Sequence, residues 1–155
     1  PVKPVIPNAY NKDQLTVDGY AIEIHGTEGT LAHRPYLWIP ENKAILGNVA
    51  VFGNLHIWTA DTQTEESQQA WSAQLGEMQG LNPEVVIPGH MKSGTALNAE
   101  TIKYSQQYLS TFKEAKKASK DSSELIEKMS TTYPEAGLPI ALGIGAKVHK
   151  GEMKW

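Results

Sequence analysis

The sequence predicts an α+β domain, a layered α/β arrangement in which an antiparallel or mixed sheet is covered by helices. Three observations carry this reading. The first third alternates in the manner of strands broken by tight turns, and the middle and end carry apolar residues at helical spacing. Between the two lies one short apolar run, "PEVVI", flanked by helical segments on both sides. With 155 residues, the chain is expected to be a single domain, residues 1–155, long enough for a real core and short for two.

Each element has a local reason. Pro1, Pro4 and Pro7 make the first nine residues an extended entry segment. "LTVDGYAIEI" reads as a hairpin turning at Asp18-Gly19. "HGTEGTLAHRP" is a loop, and "YLWI" and "KAILGNVAVF" are strands separated by a Pro40–Asn42 turn. Thr62 with Glu65 three residues later fits a capping box for a helix bearing Trp71, Leu75 and Met78, closed by Gly80. "PEVVI" has the composition of a fully buried strand. Asn98 caps a long helix carrying Ile102, Leu109 and Phe112, and Asp121 with Glu124 opens another carrying Leu125, Ile126 and Met129. The tail "IALGIGAKVHKGEMKW" fits helix or strand.

Composition narrows the function. Hydrophobic residues make up 40% and charged residues 20%, which is the balance of a globular domain. No apolar run approaches the roughly 20 residues of a membrane span, so no membrane partner is expected. A net charge of −3 argues against nucleic acid, which calls for clustered cations. The densest basic stretch, Lys113, Lys116, Lys117 and Lys120, is interrupted by Glu114 and reads as a solvated helix face. Cysteine is absent, so any metal would need His, Asp and Glu ligands. Either cytoplasm or periplasm fits that composition. The chain begins at Pro1 rather than Met, from which a processed or truncated start is expected.

Five histidines are the main chemical candidates: His25, His33, His56, His90 and His149. His25 next to Gly26 suits a turn, and His149 between Lys147 and Lys150 reads as structural or simply solvated. In "GNVAVFGNLHIWTADT" a strand exit feeds a helix, the position where α/β sheets place binding crevices. There His56 and Asp61 either form a hydrogen-bonded pair, the carboxylate fixing the imidazole tautomer, or serve structurally. In the structural alternative Asp61 caps the helix and His56 packs beside Trp58. Finally, "VVIPGH" runs a strand straight into Pro88, Gly89 and His90. That order sets an imidazole at a sheet rim, expected at the end of a central strand near Asn48, His56 and Asp61.

The succession "LWIPENKAILGN", a capped helix, "LNPEVVIPGH" and a long helix resembles the C-terminal half of a metallo-β-lactamase-fold hydrolase, over roughly residues 14–115. The segments "LHIWTADTQT" and "GAKVHKGEMKW" resemble an uncharacterised bacterial subgroup of that superfamily. The resemblance implies half of an αββα sandwich and a site that hydrolyses an ester, lactone or amide-type bond of a small-molecule substrate. It implies zinc, or another divalent metal, in the full-length protein, with metal-activated water as nucleophile. It makes His90 a metal ligand, and gives Asn48 and His33 weaker claims. Asn48 stands where the family has an aspartate, and His33 lies near the place of a histidine that this chain lacks. The superfamily's H-x-H-x-D-H signature is not among the 155 residues and is expected in an N-terminal half. This chain is therefore expected to be inactive alone, and to form a homodimer or associate with that missing half. A degenerate, non-enzymatic binding or assembly module of the same fold is the alternative reading.

Overall fold

The Asp18-Gly19 dipeptide sets the first element. Both residues have positive φ, 51° and 87°, the geometry of a two-residue hairpin turn that matches strand twist. It joins β1 (Gln14–Val17) to β2 (Tyr20–His25), with Val17 facing Tyr20 and Leu15 facing Ile22. The computed structural model describes residues 3–155, and from the hairpin onward the chain builds one mixed sheet. β3 (Tyr36–Ile39) adds antiparallel to β2, and a single 3-10 turn, Pro40–Asn42, returns the chain into β4 (Ala44–Leu46).

From β4 the chain crosses through α1 (Glu65–Gly80) and comes back as β6 (Val85–Ile87), parallel to β4. Strand order is β1-β2-β3-β4-β6. A separate two-stranded parallel pair joins β5 (Phe52–Gly53) to β7 (His90–Met91). The remaining helices are α2 (Glu100–Lys117), α3 (Ser122–Thr132) and α4 (Pro139–His149). No helix among the described residues is long and apolar enough to cross a membrane.

One face of the five-stranded sheet holds the core. Trp38, Ile45 and Val86 lie in one row across β3, β4 and β6, and all are buried with Trp71, Leu75 and Met78 of α1. The opposite face repeats the pattern with apolar residues that, apart from the buried Ala44, are half-buried to exposed. Leu37, Leu46 and Ile87 form one row and Ile39, Ala44 and Val85 the next. On the hairpin Leu15, Ile22, Val17 and Tyr20 continue that face, and none of these side chains joins the packed core.

Some expectations need correction, and one left open is resolved. The strand read over "KAILGNVAVF" breaks at Gly47, because Asn48 takes a left-handed φ of 46° and opens a 3-10 turn, Asn48–Ala50. The cap of α1 is Thr64, whose side chain accepts from Ser67 N at 3.1 Å. Thr62 is buried, and its hydroxyl donates to Asp61 instead. "PEVVI" is an edge strand rather than a buried central one. Val86 is fully covered, whereas Val85 and Ile87 are more than a third exposed on the open face. The tail resolves as a helix: Pro139 occupies its first turn, and Ala141, Leu142, Ala146 and Val148 bury one side. Asp121 caps α3 as expected, accepting from Glu124 N at 3.0 Å. The cap position of α2 falls on Ala99 rather than Asn98, although the Asn98 side chain accepts from Glu100 N at 3.0 Å.

Candidate functional site

Parallel pairing of β4 with β6 brings the carboxyl ends of both strands to one rim. Gly47 N donates to Ile87 O at 2.9 Å, and Gly89 N donates to Asn48 O, also at 2.9 Å. The approach is so close that a Cβ on Gly89 would lie 2.1 Å from Asn48 O, which explains glycine after Pro88. Asn48 itself sits in the left-handed region, where its short amide side chain is tolerated. Its Nδ2 donates to Pro35 O at 2.8 Å, tying down the loop that carries the exposed His33. His90 follows immediately, exposed, with its ring centroid 5.1 Å from that of buried Phe52. The structure thus brings Asn48 and His90 to one rim and moors the His33 loop beside Asn48.

The donor set at this rim is thin. A catalytic zinc usually takes three protein ligands and keeps one position open. Among the described residues no group of three or more His, Cys, Asp or Glu could hold a metal ion. The Asn48 amide nitrogen is already committed to Pro35 O. These residues alone do not fit a zinc centre.

His56 and Asp61 do not pair, contrary to one of the sequence expectations. His56 is 3% exposed, its Nδ1 hydrogen-bonded to the Tyr108 hydroxyl at 2.9 Å. Burial pushes its pKa below the usual histidine value. Asp61 instead accepts from Arg34 Nη2 at 2.6 Å. That guanidinium is buried and lies 4.5 Å over the Trp71 ring, so it needs a counter-charge at this place. Between His56 and Asp61 the chain turns at Thr59–Thr62, where Thr62 N donates to Thr59 O at 3.0 Å.

Of the two readings of His149, structural or solvated, the structure shows the structural one. Its Nε2 donates to Thr59 O at 3.1 Å, and its ring packs edge-on against Phe112. Burial first, then the charge of Lys116, holds its pKa down at about 4. The signal was legible in its spacing: Leu142, Ala146 and His149 recur on one helical face. His25, likewise, does more than turn the chain, since its Nε2 bonds Glu23 at 2.8 Å and its ring stacks on Tyr36. Arg34, which the sequence offered only as a neighbour of His33, organises the polar interior.

No protein-family model and no curated protein sequence matches the chain. Solved structures do match it. A metallo-beta-lactamase family protein from Thermus thermophilus superposes with a TM-score of 0.62, covering 96% of this chain and 49% of its own, at 16% identity. A metallo-beta-lactamase from Pontibacter korlensis gives a TM-score of 0.48, covering 65% of this chain and 47% of its own, at 17% identity. The chain therefore spans about half the length of the solved proteins it matches. At such identities the likeness speaks for architecture alone, and on architecture it is plain: this chain has the metallo-beta-lactamase fold, over about half the length of the Thermus protein.

Proposed function

We propose that this chain forms one wall of the reaction site of a metal-dependent hydrolase acting on an ester, lactone or amide-type bond in a small molecule. The observation behind this reading is the rim itself. An exposed imidazole, His90, follows a backbone lock between Gly89 and Asn48 at the shared ends of two parallel strands. The fold around it is the metallo-beta-lactamase fold. In this reading His90 contributes one metal ligand, Asn48 and His33 lie alongside, and the remaining donors come from outside the described residues. Zinc or another divalent ion is the cofactor proposed for the complete site. His56 and Asp61 support it from behind, His56 by holding α2 through Tyr108 and Asp61 by neutralising Arg34.

The second reading is a binding or assembly module without catalysis. What supports it is Asn48, standing where the resemblance implies an aspartate, with its amide engaged in holding Pro35. The test is calorimetric titration of the purified chain with Zn²⁺, paired with lactone and ester turnover in Zn²⁺ or Mn²⁺. Weak zinc binding that disappears in His90→Ala, with no turnover, is the expected result. Zinc binding indifferent to His90→Ala would remove His90 from the site and leave the module reading. Robust turnover lost in His90→Ala would show that this chain alone holds a complete site.

A further inference from the structure

In the helical layer α1 and α2 do not close on each other along their whole length. A cleft of about 300 Å³ remains between them, bordered by two small residues, Ser72 of α1 and Ser110 of α2. Its walls are the buried, apolar Trp71, Leu109 and Phe112, and Lys113 lies one turn beyond Ser110. Trp71 stands between the cleft and the Asn48–Ala50 turn, its Nε1 donating to Ala50 O at 2.9 Å. The basic stretch of α2 is divided by this packing. Lys117 and Lys120 are exposed, as a solvated face requires, whereas Lys113 and Lys116 are half-buried. Exposed lysines such as Lys103 and Lys120 pair with glutamates. Neither Lys113 nor Lys116 has an acceptor for its ammonium among the described residues. Burial holds the Lys116 pKa down, Glu65 opposes that, and Lys150, Lys113 and Lys117 add to the lowering. The cleft thus pairs an apolar interior with partly desolvated, uncompensated positive charge.

We propose that this cleft binds a small organic monocarboxylate, with its apolar ring or chain against Leu109 and Phe112 and its carboxylate on Lys113 and Ser110. Size fits: an apolar cavity of roughly 150 Å³ accepts benzene, so this cleft has room for a ring and a carboxylate. Few but placed polar groups in an otherwise apolar pocket are what orient a small ligand. Here the Ser110 hydroxyl and the Lys113 ammonium make no hydrogen bond among the described residues, and both border the cleft. A carboxylate satisfies the two together, and the hydrogen bond from Lys113 is then charge-assisted. An uncharged ligand would leave the cation as it is, and a bare inorganic anion would leave the apolar walls unfilled. The proposal is independent of the hydrolase reading.

Heteronuclear NMR of the nitrogen-labelled 155-residue chain, titrated with sodium benzoate, tests it. Benzyl alcohol serves as the uncharged ring and sodium acetate as the anion without one. Benzoate should give saturable shifts at the Trp71 indole N–H and at the Ser110 and Lys113 amides, with half-saturation on the order of 1 mM for so small a ligand. Benzyl alcohol should bind more weakly, and acetate should not saturate. Lys113→Met should weaken benzoate about tenfold, the loss of one charge-assisted contact, while Lys113→Arg should retain it. Ser110→Trp, at an exposed helical position, should block the mouth and abolish the shifts, with the rest of the spectrum still that of the folded chain. Shifts that do not saturate, or that centre on residues away from the cleft, overturn the proposal. So does binding that is unchanged in Lys113→Met or in Ser110→Trp. Equal affinity for benzyl alcohol and benzoate overturns it as well, since the cation then plays no part.

Discussion

Replacing Asp61 with asparagine should destabilise the fold through a residue 27 positions away in sequence. The carboxylate accepts a 2.6 Å hydrogen bond from Arg34 Nη2. Arg34 is 3% exposed, its Nη1 finds no partner among the described residues, and its guanidinium lies over Trp71. Asp61→Asn removes the counter-charge and leaves a buried cation. Breaking a fully buried pair costs about 3–5 kcal/mol, whereas a wholly exposed pair contributes about 0–1 kcal/mol. Asp61 is 39% exposed, so water replaces part of what is lost. A cost of about 2 kcal/mol lies between these limits, and for a chain of this size it lowers Tm by about 4–8 °C. Urea unfolding measures it directly. The companion variant combines Arg34→Met with Asp61→Asn and should recover part of the loss, since the cation is then gone. If Asp61→Asn alone stays within about 0.5 kcal/mol of wild type, the range of an inert surface change, the claim that Arg34 depends on this carboxylate fails.

Two further outcomes follow from groups on either side of the molecule. His149, with its folded pKa at about 4 against an ordinary 6.5, makes stability fall on acidification. Above pH 6.5 neither state takes up its proton, between 6.5 and about 4 only the unfolded chain does, and below 4 the loss is complete. The full shift corresponds to about 3 kcal/mol, which partial solvent contact reduces to about 1–2. Denaturation at stepped pH should therefore show a shallower decline for His149→Gln, and parallel profiles would refute the assignment. His56, also shifted downward, adds to the slope in both proteins. Gly89→Ala should cost about 1–3 kcal/mol by overpacking against Asn48 O. Gly94→Ala, strained only by its φ of +82° with open space around it, should cost about 1 kcal/mol or less. Thermal unfolding compares them, and equal losses would show that Gly89 is not pressed against Asn48.

What the sequence disclosed was local. Asp18-Gly19 made the hairpin, Asp121 made a cap, and the spacing of Trp71, Leu75 and Met78 made the buried side of α1, all from residues a few positions apart. The ordered context around "LWIPENKAILGN" and "VVIPGH" was also enough to find the architecture that the Thermus structure shares. What stayed hidden depended on distant partners. The break after Leu46 is held by a distant partner, Gly89 in the turn after β6, whose N–H donates to Asn48 O. Asp61 found Arg34 rather than His56, because the cation was already buried over Trp71. Whether His149 was structural or solvated stayed open, because the carbonyl it reaches, Thr59 O, lies 90 positions away.

The parallel pairing of β4 with β6 also fixes when the rim can exist. The hairpin closes two residues of chain, whereas Ala44 must meet Val85 across the whole of α1. Closing that loop costs more entropy and rewards it only once α1 has packed. The rim carrying Asn48 and His90 is thus a late product of folding. It is also the first thing lost when the β6 edge frays, because only one side of that strand is held by a sheet neighbour. Brief openings there would dissolve the candidate site while the hairpin and the α3–α4 pair stayed intact, so the lifetime of the rim is set by β6.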